Sequence, residues 1–343
     1  MSTGKNLIFL ISQPRSGSTL LQKILAGHSS IHTVSEPWIA LHPLLALRQR
    51  GVSHYHSHAL AREATLDFLS YVPGGEDTYF DSVRLMLSHL YEAALAPSGK
   101  SLFLDKTPRY YFIVPELRRV FPDARFVFLI RNPLAVLSSI LETWVDPPLP
   151  GRRTPLRLDL LHDLLTAPEV LAQARASATA NTAVVQYERL VASPAVEMER
   201  LCTALGLPFD PKMVDYGAGA AAGKRWAFGD QNTVYTETRP IPTRAGRWKE
   251  SFAAIPAWNE MAHAYLAALG PATIGRMGYN FAELEAALKP VESSCEPQTL
   301  LGNAIVTPAY GETSGIASQI SHFQELLRRA KPLHRATLRA VAG

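Results

Sequence analysis

The stretch Asn6-Leu7-Ile8-Phe9-Leu10-Ile11-Ser12 carries an unbroken apolar centre of branched and aromatic side chains, and a loop of small residues follows it at once. So short a run cannot make a typical helix. Its lack of polar alternation predicts a strand buried on both faces, as in a parallel sheet. Beyond Pro14 and Gly17, the residues Leu20, Leu21, Ile24 and Leu25 are spaced as one face of a helix that Gly27 ends.

The same strand, loop and helix order returns along the chain. Ser101–Asp105 reads as a strand before a helix over Tyr110–Phe121. Arg125–Ile130 reads as another, before a helix capped by Asn132 with Pro133 in its first turn. Thr182–Gln186 precedes a helix from about Pro194 to Leu205, with Gly206 as its stop. This alternation predicts an α/β fold, a three-layer sandwich around a mostly parallel central sheet. Helical stretches near 39–50, 57–71, 78–96 and 155–180 are expected as substrate-side insertions. From Lys289 the composition shifts to Pro, Ser, Gly and Thr, so 1–288 is expected as the main domain and 289–343 as an extension, with an amphipathic basic helix at Ile316–Ala330.

The 343 residues, 47% hydrophobic and 19% charged, exclude a disordered or collagen-like chain. No run nears the ~18 apolar residues of a membrane span, and Leu7–Ile11 is short for a signal-peptide core. Two cysteines, Cys202 and Cys295, cannot build a disulfide framework. A cytoplasmic location is the expectation. The net charge of +4 is uneven: residues 1–60 carry +4, with Glu36 as their sole acid, and residues 317–343 carry another +4. The residues between are therefore net acidic, and no nucleic-acid surface is needed to explain the basic balance.

The loop Gln13-Pro14-Arg15-Ser16-Gly17-Ser18-Thr19 lies where an open α/β sheet binds anions. Gly17 permits close backbone approach, the helix start contributes partial positive charge, and hydroxyls and a guanidinium complete the cradle. It is no Walker A loop, because no Gly-Lys-Ser/Thr is present and the cation precedes the glycine. Arg131 closes the Arg125–Ile130 strand, and Ser139 lies two turns into the next helix, ~10 Å along at ~1.5 Å per residue. The apolar spacing leaves Ser138 or Ser139 to face a ligand. An arginine and a hydroxyl so placed can meet around one phosphate.

Together these two motifs resemble the sulfotransferases that use 3′-phosphoadenosine 5′-phosphosulfate, over roughly residues 5–285. The resemblance implies a nucleotide-kinase-like, P-loop-type architecture. It assigns Arg15, Ser16, Gly17, Ser18 and Thr19 to the 5′-phosphosulfate loop, and Arg131 with Ser139 to the 3′-phosphate. Tyr187-Glu188-Arg189-Leu190 is similar to a family segment whose tyrosine lies near the adenine. Arg244-Ala245-Gly246-Arg247-Trp248-Lys249 resembles the late loop over the 3′-phosphate, although the family's Arg-Lys-Gly triplet is absent as such. Arg244, Gly246, Arg247 and Trp248 are its candidate contacts.

Sulfuryl transfer requires positioning, charge neutralisation and a base, and requires no metal. Lys106 matches a lysine that the family places near the transferred group. The histidine used by the small-phenol branch is replaced here by Thr107 and Pro108. Glu36, in Ser35-Glu36-Pro37, falls where the carbohydrate and protein-tyrosine branches carry a glutamate base. A structural pairing of Glu36 with Arg15 or Arg48 is the alternative.

His54, His56 and His58 read as a solvated loop, since no acidic or thiolate partner is nearby. Trp226 and Phe228 either line the adenine or pack. Trp38, Trp144, Tyr55 and Tyr79 suggest a moderately apolar acceptor pocket. The expected function is transfer of a sulfuryl group from the phosphosulfate donor, with the bisphosphate PAP as product, to a hydroxyl, with an amine as the lesser alternative, of a small molecule, lipid or carbohydrate. A P-loop-like small-molecule kinase and a non-catalytic nucleotide-binding protein remain the alternatives.

Overall fold

The computed structural model describes residues 3–49, 52, 57–145, 154–217, 226, 235–290 and 304–307. In chain order the elements are β1 (Leu7–Ser12), α1 (Ser18–Ala26), β2 (Ile31–Thr33), α2 (Leu41–Leu45), α3 (His58–Ser70), α4 (Gly75–Leu95), β3 (Leu102–Lys106), α5 (Val114–Val120), β4 (Arg125–Ile130) and α6 (Pro133–Trp144). There follow β5 (Thr154–Arg157), α7 (Leu158–Leu161), α8 (Ala167–Ala176), β6 (Thr182–Gln186), α9 (Tyr187–Ala192), α10 (Pro194–Ala204), α11 (Trp248–Ala254), α12 (Pro256–Met277), α13 (Phe281–Ala286) and β7 (Ala304–Thr307). The described residues form two compact units. The first takes the chain up to Ile130 together with Ser177–Pro242; the second takes Arg131–Ala176 and the chain from Thr243.

The first unit is an α/β sandwich on a five-stranded sheet of order β2-β3-β1-β4-β6 in which every pairing is parallel. All six residues of β1 are buried, as a central strand covered on both faces requires. The crossovers from β1 to β2 and from β3 to β4 run in opposite directions along the sheet, so right-handed connections put α1 and α5 on opposite faces. Phe9 centres an aromatic cluster with Tyr91, Tyr110, Phe121 and Phe126, at ring separations of 5.5–6.4 Å. Tyr91 belongs to α4, so that helix supplies part of the outer layer.

The strands and caps follow the sequence closely. β4 and β6 have the expected bounds, and Asn132 caps α6 by accepting from the Leu134 and Ala135 N–H groups. Three expectations change. The helix expected over Tyr110–Phe121 is a 3₁₀ turn, Pro108–Ile113, followed by the short α5, because Pro115 has no N–H to continue a helix across the join. A helix, α9, starts directly after β6. The stretch near 155–180 opens on a strand, β5, which pairs in parallel with β7.

The second unit is mainly helical, its core drawn from α6, α11, α12 and α13 with Leu160, Leu161 and Leu164. Most of 289–343, including the basic helix expected at Ile316–Ala330, lies outside the described residues. Among the described residues, no helix is long and apolar enough to cross a membrane.

Candidate active site

A parallel sheet delivers the carboxyl ends of all its strands to one edge. In the first unit that edge gathers the loop after β1, the segment after β2, Lys106 at the end of β3 and Tyr187 after β6. The connection leaving β1 runs towards β2 and that leaving β4 towards β6, so the strand order reverses at this pair. That is where open α/β sheets bind ligands.

The loop after β1 changes hand twice. Arg15 has φ +68° and Gly17 φ +89°, with Ser16 between them on the negative side. Alternation of hand before a helix is a backbone form that can gather N–H groups towards an anion. Ser16, Ser18 and Thr19 are buried, and the Ser16 hydroxyl oxygen has no hydrogen-bond partner among the described residues. A buried hydroxyl is seldom left unpaired, so it fits a loop shaped for an oxyanion. A Cβ on Gly17 would stand 2.5 Å from the Tyr187 ring, so only glycine fits beneath that tyrosine. The Tyr187 ring is thereby placed against the glycine of this loop.

On the same edge, Lys106 Nζ donates to Glu36 Oε1 at 2.6 Å, with the lysine side chain fully buried and the glutamate 11% exposed. The second carboxylate oxygen accepts from the Trp38 indole at 3.2 Å. Of the cations the sequence offered as structural partners of Glu36, Arg48 is engaged elsewhere, binding Glu116 at 2.6 Å. Thr33 accepts from Gln22 Nε2 and donates to the Leu104 carbonyl, while Gln22 also holds the Val34 carbonyl. These bonds tie α1, β2 and β3 together just before Glu36.

Behind the pair lies a buried carboxylate that sequence reading passed over. Asp105 accepts from the Tyr91 hydroxyl at 2.6 Å and the Thr107 hydroxyl at 2.8 Å. Burial pushes its carboxyl up to about 6; the Tyr91, Thr107 and Tyr110 hydroxyls pull against this, and the charge of Glu36 adds to it. The only sequence signal was an acid inside an otherwise apolar strand, Leu102-Phe103-Leu104-Asp105.

In the second unit, Arg131 and Ser139 are half-buried on and before α6. Ser138 is committed elsewhere, its hydroxyl donating to Glu142 at 3.0 Å, and Glu142 also accepts from Ser251. Of the two serines, Ser138 is buried and Ser139 half-buried. Arg244 is half-buried and Gly246 and Arg247 are exposed, whereas Trp248 is buried in the core beside Phe252.

Other candidates take ordinary roles. His58 meets the Arg48 carbonyl at 2.9 Å, and His54, His56, Tyr55 and Phe228 lie outside the described residues. Trp226 packs over the buried Lys23 ammonium, 5.2 Å from it. Tyr79 donates to the Pro43 carbonyl, and Trp144 is exposed. Cys202 is buried, which pushes its thiol up to about 11.

A family model described as the sulfotransferase family matches residues 7–211, more than half of the chain. The chain belongs to the sulfotransferase family. This sulfotransferase-family chain is 34% identical over 222 residues to nodulation protein NoeE of Sinorhizobium fredii, a match covering 60% of the chain and 50% of NoeE. It is 25% identical over 211 residues to protein-tyrosine sulfotransferase 1 of Danio rerio, covering 61% and 56%. The chain spans about half the length of each of these two relatives. Among solved structures it is similar to the sulfotransferase domain of the Synechococcus PCC 7002 olefin synthase, with 22% identity, a TM-score of 0.47 and coverage of 73% and 89%.

Proposed function

We propose that this family member transfers a sulfuryl group from 3′-phosphoadenosine 5′-phosphosulfate to a hydroxyl of a small-molecule, lipid or carbohydrate acceptor, with Glu36 as general base. The observation that carries this reading is the Glu36–Lys106 pair at the sheet edge that also bears the Arg15–Thr19 loop.

Bound donor would supply an electrophilic sulfur and a phosphate leaving group. The chain's residues do the rest. Arg15 and the loop N–H groups hold anionic oxygens, and the Ser16 hydroxyl gains the partner it lacks among the described residues. Arg131 and Ser139 take the 3′-phosphate, with Arg244, Gly246 and Arg247 as the late loop. Tyr187 borders the loop through its contact with Gly17. Glu36 accepts the acceptor's hydroxyl proton while Lys106 and Trp38 fix its carboxylate, and Lys106 adds positive charge beside the migrating group. No metal is required.

The test is transfer of labelled sulfuryl from the donor to a panel of alcohol, lipid and glycan acceptors, by wild type and Glu36→Gln. Loss of kcat by about 10²-fold or more at unchanged donor affinity is expected for removal of a general base. Unchanged turnover would move the base elsewhere. Tight donor binding with no transfer to any acceptor would instead favour a binding protein.

A further inference from the structure

Asp105 and Lys106 are consecutive residues of β3, so their side chains leave the strand on opposite faces. Each reaches one end of the same short segment. Lys106 holds Glu36 directly. Asp105 interacts with the Tyr110 hydroxyl, whose oxygen accepts the Ala40 backbone N–H at 3.1 Å. The segment 36–40 therefore crosses the end of β3, gripped at one end by Lys106 and at the other by Tyr110.

Between the two grips the backbone is held in an unfavourable form. Trp38 sits at φ +57°, a region that a bulky side chain rarely occupies. Such a conformation persists only where its surroundings impose it. The conformation also lets the Trp38 indole reach Glu36 Oε2, so the indole bond to Glu36 depends on the segment keeping its shape. Asp105, Tyr110 and Ala40 are all buried, 0–1% exposed, and so are placed to act through the backbone, not on a substrate.

We infer that Asp105 and Tyr110 are positioning residues for Glu36: by fixing Ala40 they hold Trp38 in its left-handed conformation and its indole on the Glu36 carboxylate. This rests on Glu36 being the base, and the experiment separates the two claims.

Tyr110→Phe removes the single oxygen that receives the Ala40 N–H and keeps the ring. The full chain is compared as wild type, Tyr110→Phe, Glu36→Gln and the double variant, by kcat and by the indole N–H resonance of Trp38, assigned with Trp38→Phe. Loss of one hydrogen bond predicts a fall in kcat of roughly 3- to 10-fold in the wild-type background. It predicts no further fall in the Glu36→Gln background, together with a displaced indole resonance. An equal fall in both backgrounds, or an indole resonance that stays in place, overturns the inference. Should Tyr110→Phe fail to fold, Asp105→Asn takes its place with the same expected dependence on Glu36. If Glu36→Gln turns over like wild type, the base assignment fails, while the indole resonance still decides whether Tyr110 positions the segment.

Discussion

Lys106 Nζ and Glu36 Oε1 lie 2.6 Å apart although 70 residues separate them in the chain. β2 and β3 are neighbours in register, with Thr33 opposite Leu104, so the residues just past their carboxyl ends must meet. Each side chain draws its significance from the other. A fully buried ammonium needs a counter-charge, and a lone acid in a basic segment finds it there.

Lys106→Met should therefore destabilise the protein by about 3 kcal/mol, because it leaves a largely buried carboxylate uncompensated. The double variant Lys106→Met with Glu36→Gln should recover much of that loss, since no unpaired charge remains. Urea unfolding of the four proteins at pH 7 checks this, and additive losses would contradict it.

Arg15→Ala should abolish measurable sulfuryl transfer while leaving the unfolding midpoint near wild type, since Arg15 is half-buried in a loop and belongs to no strand or helix. The comparison is of kcat/KM with the thermal midpoint. Near-wild-type turnover would remove Arg15 from the anion cradle.

Gly17→Ala introduces a methyl group 2.5 Å from the Tyr187 ring at a backbone φ of +89°. Both penalties fall at one residue. A stability loss of about 1–3 kcal/mol is expected, with donor affinity reduced at least tenfold as the loop shifts. Calorimetric titration with the bisphosphate product PAP and a denaturant titration measure the two effects separately.

The Asp105 carboxyl is raised to about 6 by burial, so the folded protein binds a proton there more tightly than the unfolded chain does. Stability from this site is highest below pH 4 and declines as pH rises from about 4 to about 6, then levels off, a span of about 3 kcal/mol. Asp105→Asn should remove that decline. Unfolding free energies at pH 4.5 and 7 test it: the difference between wild type and variant must change sign or size between the two, and a constant difference would refute it.

Much of the fold was readable because its signals are local. The apolar run of β1, the Leu20–Leu25 spacing of α1, and the Asn132–Pro133 start of α6 act over a few residues, and each element formed where its signal lay. β5 was missed because its partner, β7, lies 150 residues further on in a stretch whose composition reads as loop. α9 has no legible start, because Gln186 at its N-terminus supplies no side-chain cap. Ser138 and Ser139 could not be told apart by spacing. In the structure Ser138 is buried and donates to Glu142, one turn on, while Ser139 is half-buried.

For the site, the sequence by itself determined the pieces: a loop of Arg15, Ser16, Gly17, Ser18 and Thr19 between strand and helix, a lysine at a strand end, and a single acid in a basic head. Those follow from residue type and short-range spacing, which any local stretch carries within itself. The strand order determined the rest. Only the placing of β3 between β2 and β1 brings Glu36 to Lys106 and turns Asp105 into a fully buried carboxylate, and only the order β1-β4-β6 lays Tyr187 over Gly17. Pairing between distant segments is chosen by how the whole sheet buries its faces, and no local pattern contains that choice.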